Sequence, residues 1–448
     1  MSKYFSLILL GAIVLTSCTN DPVADKELAI LNIELASILN QKGGEQGLSS
    51  FVMPESDELW KIPQDPLNPL TAEKVFLGKF LYHETGLGVV PRKEVGLHTY
   101  SCASCHHAKA GFQANMQQGI GEGGTGFGLS GEARTLSNLY QPEEIDVQPL
   151  RTPSALNVAF QTNMLWNGQF GATGVNKGTE TRWLEGTPIA TNHLGYEGVE
   201  IQAIAGLGVH RMDCDSTLVN TSSYKAWFDN AFANIPEQNR YTKETAGLAI
   251  AAFERTLLAT ESPFQQWLKG DKESMSNDEL KGAILFFGKG NCGSCHKGPA
   301  LNDMSFYALG MEDMNGGGTY NASSDNSANL GRGSFTGNAA DDFKFKVPQL
   351  YNLKDSPFYG HGGTFNSIRE VVEYKNIAQK ENANVPSSQL ASGFAPLGLT
   401  EQEIGFIIAF LENGLYDPNL ARFEPVELPS GMCFPNADVQ SKIDMSCE

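Results

Sequence analysis

The sequence predicts an all-α fold, built from helices and long loops in a unit that occurs twice. Three observations predict it. The pentapeptide Cys-x-x-Cys-His occurs twice, as Cys102-Ala103-Ser104-Cys105-His106 and Cys292-Gly293-Ser294-Cys295-His296. Helix signals frame each copy, and alternating strand patterns are few. Each pentapeptide is the attachment signature of a c-type haem. The two cysteines add across porphyrin vinyl groups as thioethers, and the adjacent His is left under the iron as proximal ligand. A zinc site also uses two Cys pairs, but usually closer together and without a His fixed after each. Two covalent haems would supply core that the chain itself lacks.

The elements follow in order. Lys3 and the apolar run from Phe5 to Leu15 have the form of a secretory signal, too short to span a bilayer as a folded helix. The run closes on Leu15-Thr16-Ser17-Cys18, which resembles a bacterial lipobox. Cleavage there would free Cys18 for lipidation; an ordinary signal peptide with an incidental Cys18 is the alternative. We expect a periplasmic lipoprotein, anchored to a membrane through Cys18. Thr19 follows in place of Asp, which by the enterobacterial sorting pattern points to the outer membrane.

Leu28, Leu31, Leu35, Ile38 and Leu39 form a short helical stripe. The polar stretch 40–50 reads as a linker, so the folded part begins near Met53. Thr71 caps a helix running to Tyr82 before the first motif. Residues 244–260 form an Ala- and Leu-rich helix. Ser276 and Glu279 make a capping box before the second motif, and Thr400 and Glu403 make another after it. The latter helix carries Ile404, Ile407, Ile408 and Leu411 on one face. Residues 119–131 hold seven glycines and a formal Gly-x-Gly-x-x-Gly, without the preceding strand a nucleotide site needs. Residues 310–342 read as a mobile surface loop.

At 448 residues the chain suggests two or three domains. The expected division is a signal peptide (1–17), an N-terminal segment and linker (18–55), a first domain (56–268), a second domain (269–417) and a tail (418–448) returning to the first. Net charge is −19, which excludes nucleic acid as a natural partner and suits a basic protein partner. Of eight cysteines, Cys18 and the four haem cysteines leave Cys214, Cys433 and Cys447. Cys433 can pair with Cys447, or Cys214 with either.

From residue 60 to 417 the chain resembles the bacterial di-haem cytochrome c peroxidase/MauG superfamily. The resemblance rests on ordered landmarks: Leu77-Gly78-Lys79-Phe80-Leu81-Tyr82, Ser101 to His106, Arg151-Thr152-Pro153-Ser154-Ala155-Leu156-Asn157 and Leu165-Trp166-Asn167-Gly168. Gly331-Arg332, Phe343 to Pro348, Leu350-Tyr351-Asn352 and Pro357 to Gly363 follow in order. It implies two cytochrome-c-like haem domains joined by long loops. It also implies reduction of hydrogen peroxide to water, with electrons from a small c-type cytochrome or a cupredoxin. His106 would be proximal ligand of the peroxidatic haem, His296 that of the electron-transfer haem, and Trp166 a relay between them. A homodimer is expected as well.

Four departures qualify the resemblance. The family's resting-state His ligand, sixteen residues after the first haem His, is Glu122 here. A carboxylate is a weak ligand, so the first site is expected to be open without reductive activation, unless His98 or His107 substitutes. Gln202 matches the family's distal Gln, but its distal Glu, ten residues on, is absent; His210 and Arg211 lie there instead. They can serve as base and cation for O–O cleavage. For the sixth ligand of the second haem, the family's Met or Tyr position falls on Lys375, with Tyr374 beside it. Tyr374 is the first candidate and Lys375 the second, with Met304, Met311 and Met314 also available. The Asn that ligates the family's interdomain calcium aligns with Arg151, a cation, so calcium is not expected. Two other activities compete with the peroxidase: a MauG-like oxidase that modifies a partner protein, and an electron carrier without peroxide chemistry.

Overall fold

A helix that must cross another closely needs a small residue at the crossing, and this chain does that twice. A computed structural model describes residues 22–221 and 223–447, so the signal-like run and Cys18 lie outside the described residues. The principal helices are α1 (Pro22–Lys42), α2 (Ala72–His83), α3 (Gly198–Val209), α4 (Lys243–Arg255), α5 (Asn277–Phe287), α6 (Ile368–Ile377) and α7 (Glu401–Ala409). Helix α2 packs on α4, and α5 on α7. A Cβ built on Gly78 of α2 would stand 1.8 Å from the Ala249 carbonyl oxygen, and one on Gly282 of α5 would stand 1.9 Å from that of Phe406. Only glycine allows either approach.

The caps hold these helices where the sequence places them. Thr71 Oγ1 accepts from Lys74 N at 3.2 Å. Ser276 with Glu279 and Thr400 with Glu403 form reciprocal capping boxes.

The loops repeat as well. Pro153 to Asn157 and Pro348 to Asn352 end in a left-handed Asn, with φ of 61° and 54°. Asn157 N donates to Leu257 O at 2.7 Å just after α4, and Asn352 N donates to Leu415 O at 3.1 Å beyond α7. Bridges Met164↔Phe170 and Tyr359↔Phe365 then close matching hairpin-like turns. One continuous apolar core runs through both repeats. Between α3 and α4 it encloses a fully buried ion pair: Arg255 Nη2 lies 2.6 Å from Glu200 Oε2, and Arg255 Nε 2.8 Å from Oε1.

Three expectations change. The fold is helix-rich rather than strictly all-α: β1 (Gly124–Thr125) pairs antiparallel with β2 (Thr135–Leu136), and β3 (Asp303–Tyr307) with β4 (Phe345–Val347). The stretch read as a linker is helical: α1 runs to Lys42, and a 3₁₀ helix spans Gly44–Phe51 and buries Phe51. The reason is packing, since α1 lies on α5 and buries Leu35 and Leu39. The stretch 310–342 holds the helix Arg332–Thr336 and buries Asp313, Met314 and Arg332, because Arg332 donates to the carbonyls of Asn167, Gly168 and Val175.

The C-terminal tail lies on the first motif. Pro435 O accepts from the hydroxyls of Ser101 and Ser104, each at 3.0 Å. Arg134 pairs with Asp438 at 3.2 Å, and Thr85 Oγ1 donates to Cys433 O at 2.9 Å. A disulfide joins Cys433 to Cys447, leaving Cys214 as a buried thiol. Among the described residues, no helix is long and apolar enough to cross a membrane.

Candidate haem sites and the first distal cluster

Each Cys-x-x-Cys-His motif forms one 3₁₀ turn, Cys102–Ser104 and Cys292–Ser294, followed by its His. A bridge follows each motif, His107↔Gln113 and Lys297↔Asn302, and bends the chain back under the ring. His106 Nδ1 faces Phe112 O at 3.3 Å, and His296 Nδ1 faces Leu301 O at 2.9 Å. A carbonyl only accepts, so Nδ1 carries the proton and Nε2 is left as the ligand atom. Burial pushes both imidazoles down to about 4, His106 with help from nearby His210 and His296 from Lys375. Both rings are therefore neutral, as iron ligation requires. Burial also pushes the thiols of Cys105 and Cys292 up to about 12.

The second motif opens on a cavity of about 400 Å³ lined by Cys292, Cys295, His296, Trp166, Lys346 and Lys375. The four motif cysteines, all free, two oriented neutral imidazoles and this cavity fit two covalently attached haems. Calcium does not fit at Arg151. Its own guanidinium occupies the acceptors there: Met116 O and Gln113 Oε1, each at 2.9 Å, and Ser356 Oγ at 2.6 Å.

Near His106, four of the expected side chains come together. His210 ends α3, and its Nδ1 lies 2.8 Å from Asp146 Oδ2. Burial would lower the His210 pKa, but Asp146 outweighs it and the net shift is upward. Gln202 sits two turns earlier on the same stripe. A Cβ on the intervening Gly206 would lie 3.5 Å from Gln202 Nε2 and 4.0 Å from His210 Cδ2, so nothing fills the space between them.

Arg211 takes a left-handed backbone, φ 55°, held by Tyr100 Oη donating to its carbonyl at 2.8 Å. Its Nε donates to Glu122, while Nη2 is buried and has no acceptor among the described residues. Glu122 is fully buried and also accepts from Tyr140 Oη at 2.9 Å and Arg92 N at 2.6 Å. Asp146 N donates to Glu122 O at 2.9 Å, which ties the two pairs into one unit. The glycines of 119–131 make this possible: a Cβ on Gly121 would stand 2.6 Å from Asp146 Oδ2. His107 instead packs against Phe127.

Trp166 belongs to the other cavity. Its Nε1 donates to Arg151 O at 2.8 Å, and its carbonyl accepts from Lys346 N at 2.8 Å. The adjoining Thr152 reaches the first site, since a Cβ on Gly119 would meet Thr152 Oγ1 at 2.5 Å and Cys105 Sγ at 3.0 Å. On α6 the two ligand candidates point different ways. Tyr374 Oη donates to Leu309 O at 2.5 Å and does not line the cavity. Lys375 does line it, and burial pushes its amine down to about 8 against the pull of Cys292 and Cys295. Met311 also borders the cavity.

Sequence reasoning did not find Asp146, Tyr140 or Tyr100, because their partners lie far away in the chain. The one available signal was that a His–Arg pair at a helix end needs acids to orient it.

Residues 72–273 match the family profile described as di-haem cytochrome c peroxidase. The methylamine utilization protein MauG of Methylorubrum extorquens AM1 is 27% identical, across 91% of this chain and 92% of its own. Cytochrome c peroxidase Ccp of Escherichia coli K12 is 26% identical, across 88% and 69%. The crystal structure of a MauG-like protein associated with microbial copper homeostasis shares the fold, with a TM-score of 0.55 and 21% identity, covering 82% of this chain and 95% of that one.

Proposed function

We propose that this chain reduces hydrogen peroxide at the first site with electrons entering through the second, a reading supported by its match to the di-haem cytochrome c peroxidase profile and by its similarity to MauG and to cytochrome c peroxidases. The observation that carries this reading is the cluster of His210 on Asp146 and Arg211 on Glu122. Cys102, Cys105 and His106 hold one haem, and Cys292, Cys295 and His296 hold the other. Each haem, when bound, supplies an iron that exchanges single electrons, and the first also offers a coordination position to peroxide.

With its Nδ1 proton on Asp146, His210 presents a basic Nε2. That atom takes the proton from one peroxide oxygen and returns it to the other, which leaves as water. The unpartnered Nη2 of Arg211 donates to the departing oxygen, and the Gln202 amide orients it. The sum is H2O2 + 2 e⁻ + 2 H⁺ → 2 H2O. Glu122 is a positioning residue: both its oxygens are engaged, which favours a first site that needs no reductive priming. Trp166 relays electrons from the second site toward Arg151 and Thr152.

The other parts of the reading are proposals as well. Two cytochrome-c-like domains span 56–268 and 269–417. The protein is exported and lipid-anchored at Cys18 in the outer membrane, and works as a homodimer. Its donor is a small cytochrome or cupredoxin, and the net charge of −19 favours a basic one. Tyr374 faces away from the second cavity, which removes a feature that favoured a protein-modifying oxidase.

Lys375, which lines the cavity with His296, is the residue we propose would complete the ligation of the second haem. Lys375→Ala is expected to give the second ferric haem a high-spin spectrum, while Tyr374→Phe leaves it unchanged. The reverse pattern would return the role to Tyr374.

The deciding experiment mixes the fully oxidised protein with stoichiometric hydrogen peroxide in a stopped-flow spectrometer. Fast loss of the high-spin signal, restored by a reduced cytochrome, is expected. Reactivity only after one-electron reduction would refute the unprimed site. Inertness in both states would leave an electron carrier.

A further inference from the structure

Arg151 and Lys346 are buried cations without a carboxylate. Arg151 is 2% exposed and Lys346 6%. Every acceptor on Arg151 is neutral: Met116 O, Ala114 O, Gln113 Oε1 and Ser356 Oγ. Those on Lys346 are Gln161 Oε1 at 2.5 Å and Asn163 O at 2.6 Å, also neutral. Burial pushes Arg151 down to about 9 and Lys346 to about 7. Buried charges are paired as a rule, because desolvation is otherwise uncompensated. This chain has 51 acidic residues against 32 basic ones, yet spends none on these two.

Both cations line the second cavity. Among the described residues its single lining carboxylate, Asp313, is already held by His361 Nε2 at 3.1 Å and Asn382 Nδ2 at 3.0 Å. The missing negative charge must therefore come from what fills the cavity. A haem carries two carboxylates, its propionates, on the edge opposite the vinyl groups that become thioethers. The third cation of the cavity is Lys375. Arg151 and Lys346 bracket Trp166, whose indole donates to Arg151 O and whose carbonyl accepts from Lys346 N.

We infer that Arg151 and Lys346 are the counter-charges of the second haem's two propionates, and that they fix its propionate edge beside Trp166. The inference rests on haem loading of the second site, and not on peroxide reactivity.

The test is a potentiometric titration of the purified two-haem protein, followed by the visible spectrum. Lys346→Met should lower the midpoint potential of the second haem, because a nearby positive charge favours the reduced iron. The first haem should not move. Lys346→Arg should restore the second potential. An unchanged second potential in Lys346→Met, with two haems still bound, would overturn the assignment, as would Lys346→Arg shifting as far as Lys346→Met. Should Lys346→Met fail to fold, resonance Raman spectra of the unaltered holoprotein decide. Propionate bending modes of strongly hydrogen-bonded carboxylates support the assignment, and water-exposed frequencies refute it. Peroxide turnover enters none of these readouts, so a failure here is distinct from a failure of the peroxidase reading.

Discussion

Replacing His210 with alanine is expected to leave both haems in place and to slow peroxide turnover by about a hundredfold, the usual scale for losing an acid–base group. The haems stay because the substitution leaves untouched the residues proposed to hold them, Cys102, Cys105, His106 and their second-site counterparts. The rate falls because the imidazole proposed to move the proton is gone, and His107 packs on Phe127 instead. Unchanged turnover would remove His210 from the mechanism.

Its partner gives a pH test with a defined sign. His210 must be neutral to accept a proton. Burial lowers its pKa from the ordinary 6.5, but Asp146 lifts it above that value. The acid limb of kcat/KM should therefore lie above the position an ordinary imidazole would give, with activity lost as pH falls through it. In Asp146→Asn the lifting charge is gone and burial remains, so the limb should move to lower pH while the maximal rate also drops. A purely structural role for Asp146 would lower the rate and leave the limb in place.

The second large effect concerns stability. Arg255→Met should cost about 3–5 kcal/mol, measured by urea denaturation of the holoprotein, because Glu200 would stay buried without its partner. Both side chains are fully buried, so water cannot replace the lost guanidinium. Adding Glu200→Gln removes the stranded charge and should recover much of the loss. A loss under about 1 kcal/mol for Arg255→Met would mean that Glu200 finds a proton at little cost.

What the sequence reveals divides along physical lines. Haem attachment needs contiguous residues, so both motifs are legible, and capping boxes are legible for the same reason. Helix caps at Thr71, Ser276 and Thr400 are all present. The distal cluster is only half legible. His210, Arg211, Gln202 and Glu122 stand out by position, but Asp146 and Tyr140 reach them through a glycine-rich loop whose path no local pattern dictates. Tyr374 and Lys375 are a single step apart along α6, yet only Lys375 lines the cavity. One residue turns a helix by about 100°, enough to move a side chain from cavity to carbonyl. Counting from a motif cannot resolve that angle.

The tail over the first motif imposes an order on biogenesis. Ser101 and Ser104 hand their hydroxyls to Pro435, near the end of the chain, so the docked tail covers the segment that must be open when thioethers form. The two sets of cysteines also make opposite chemical demands. Cys102 and Cys105 have to meet the vinyl groups as thiols, whereas Cys433 and Cys447 have to be oxidised to each other. A tail closed by an oxidant thus sits as a latch over the segment that needs its thiols free.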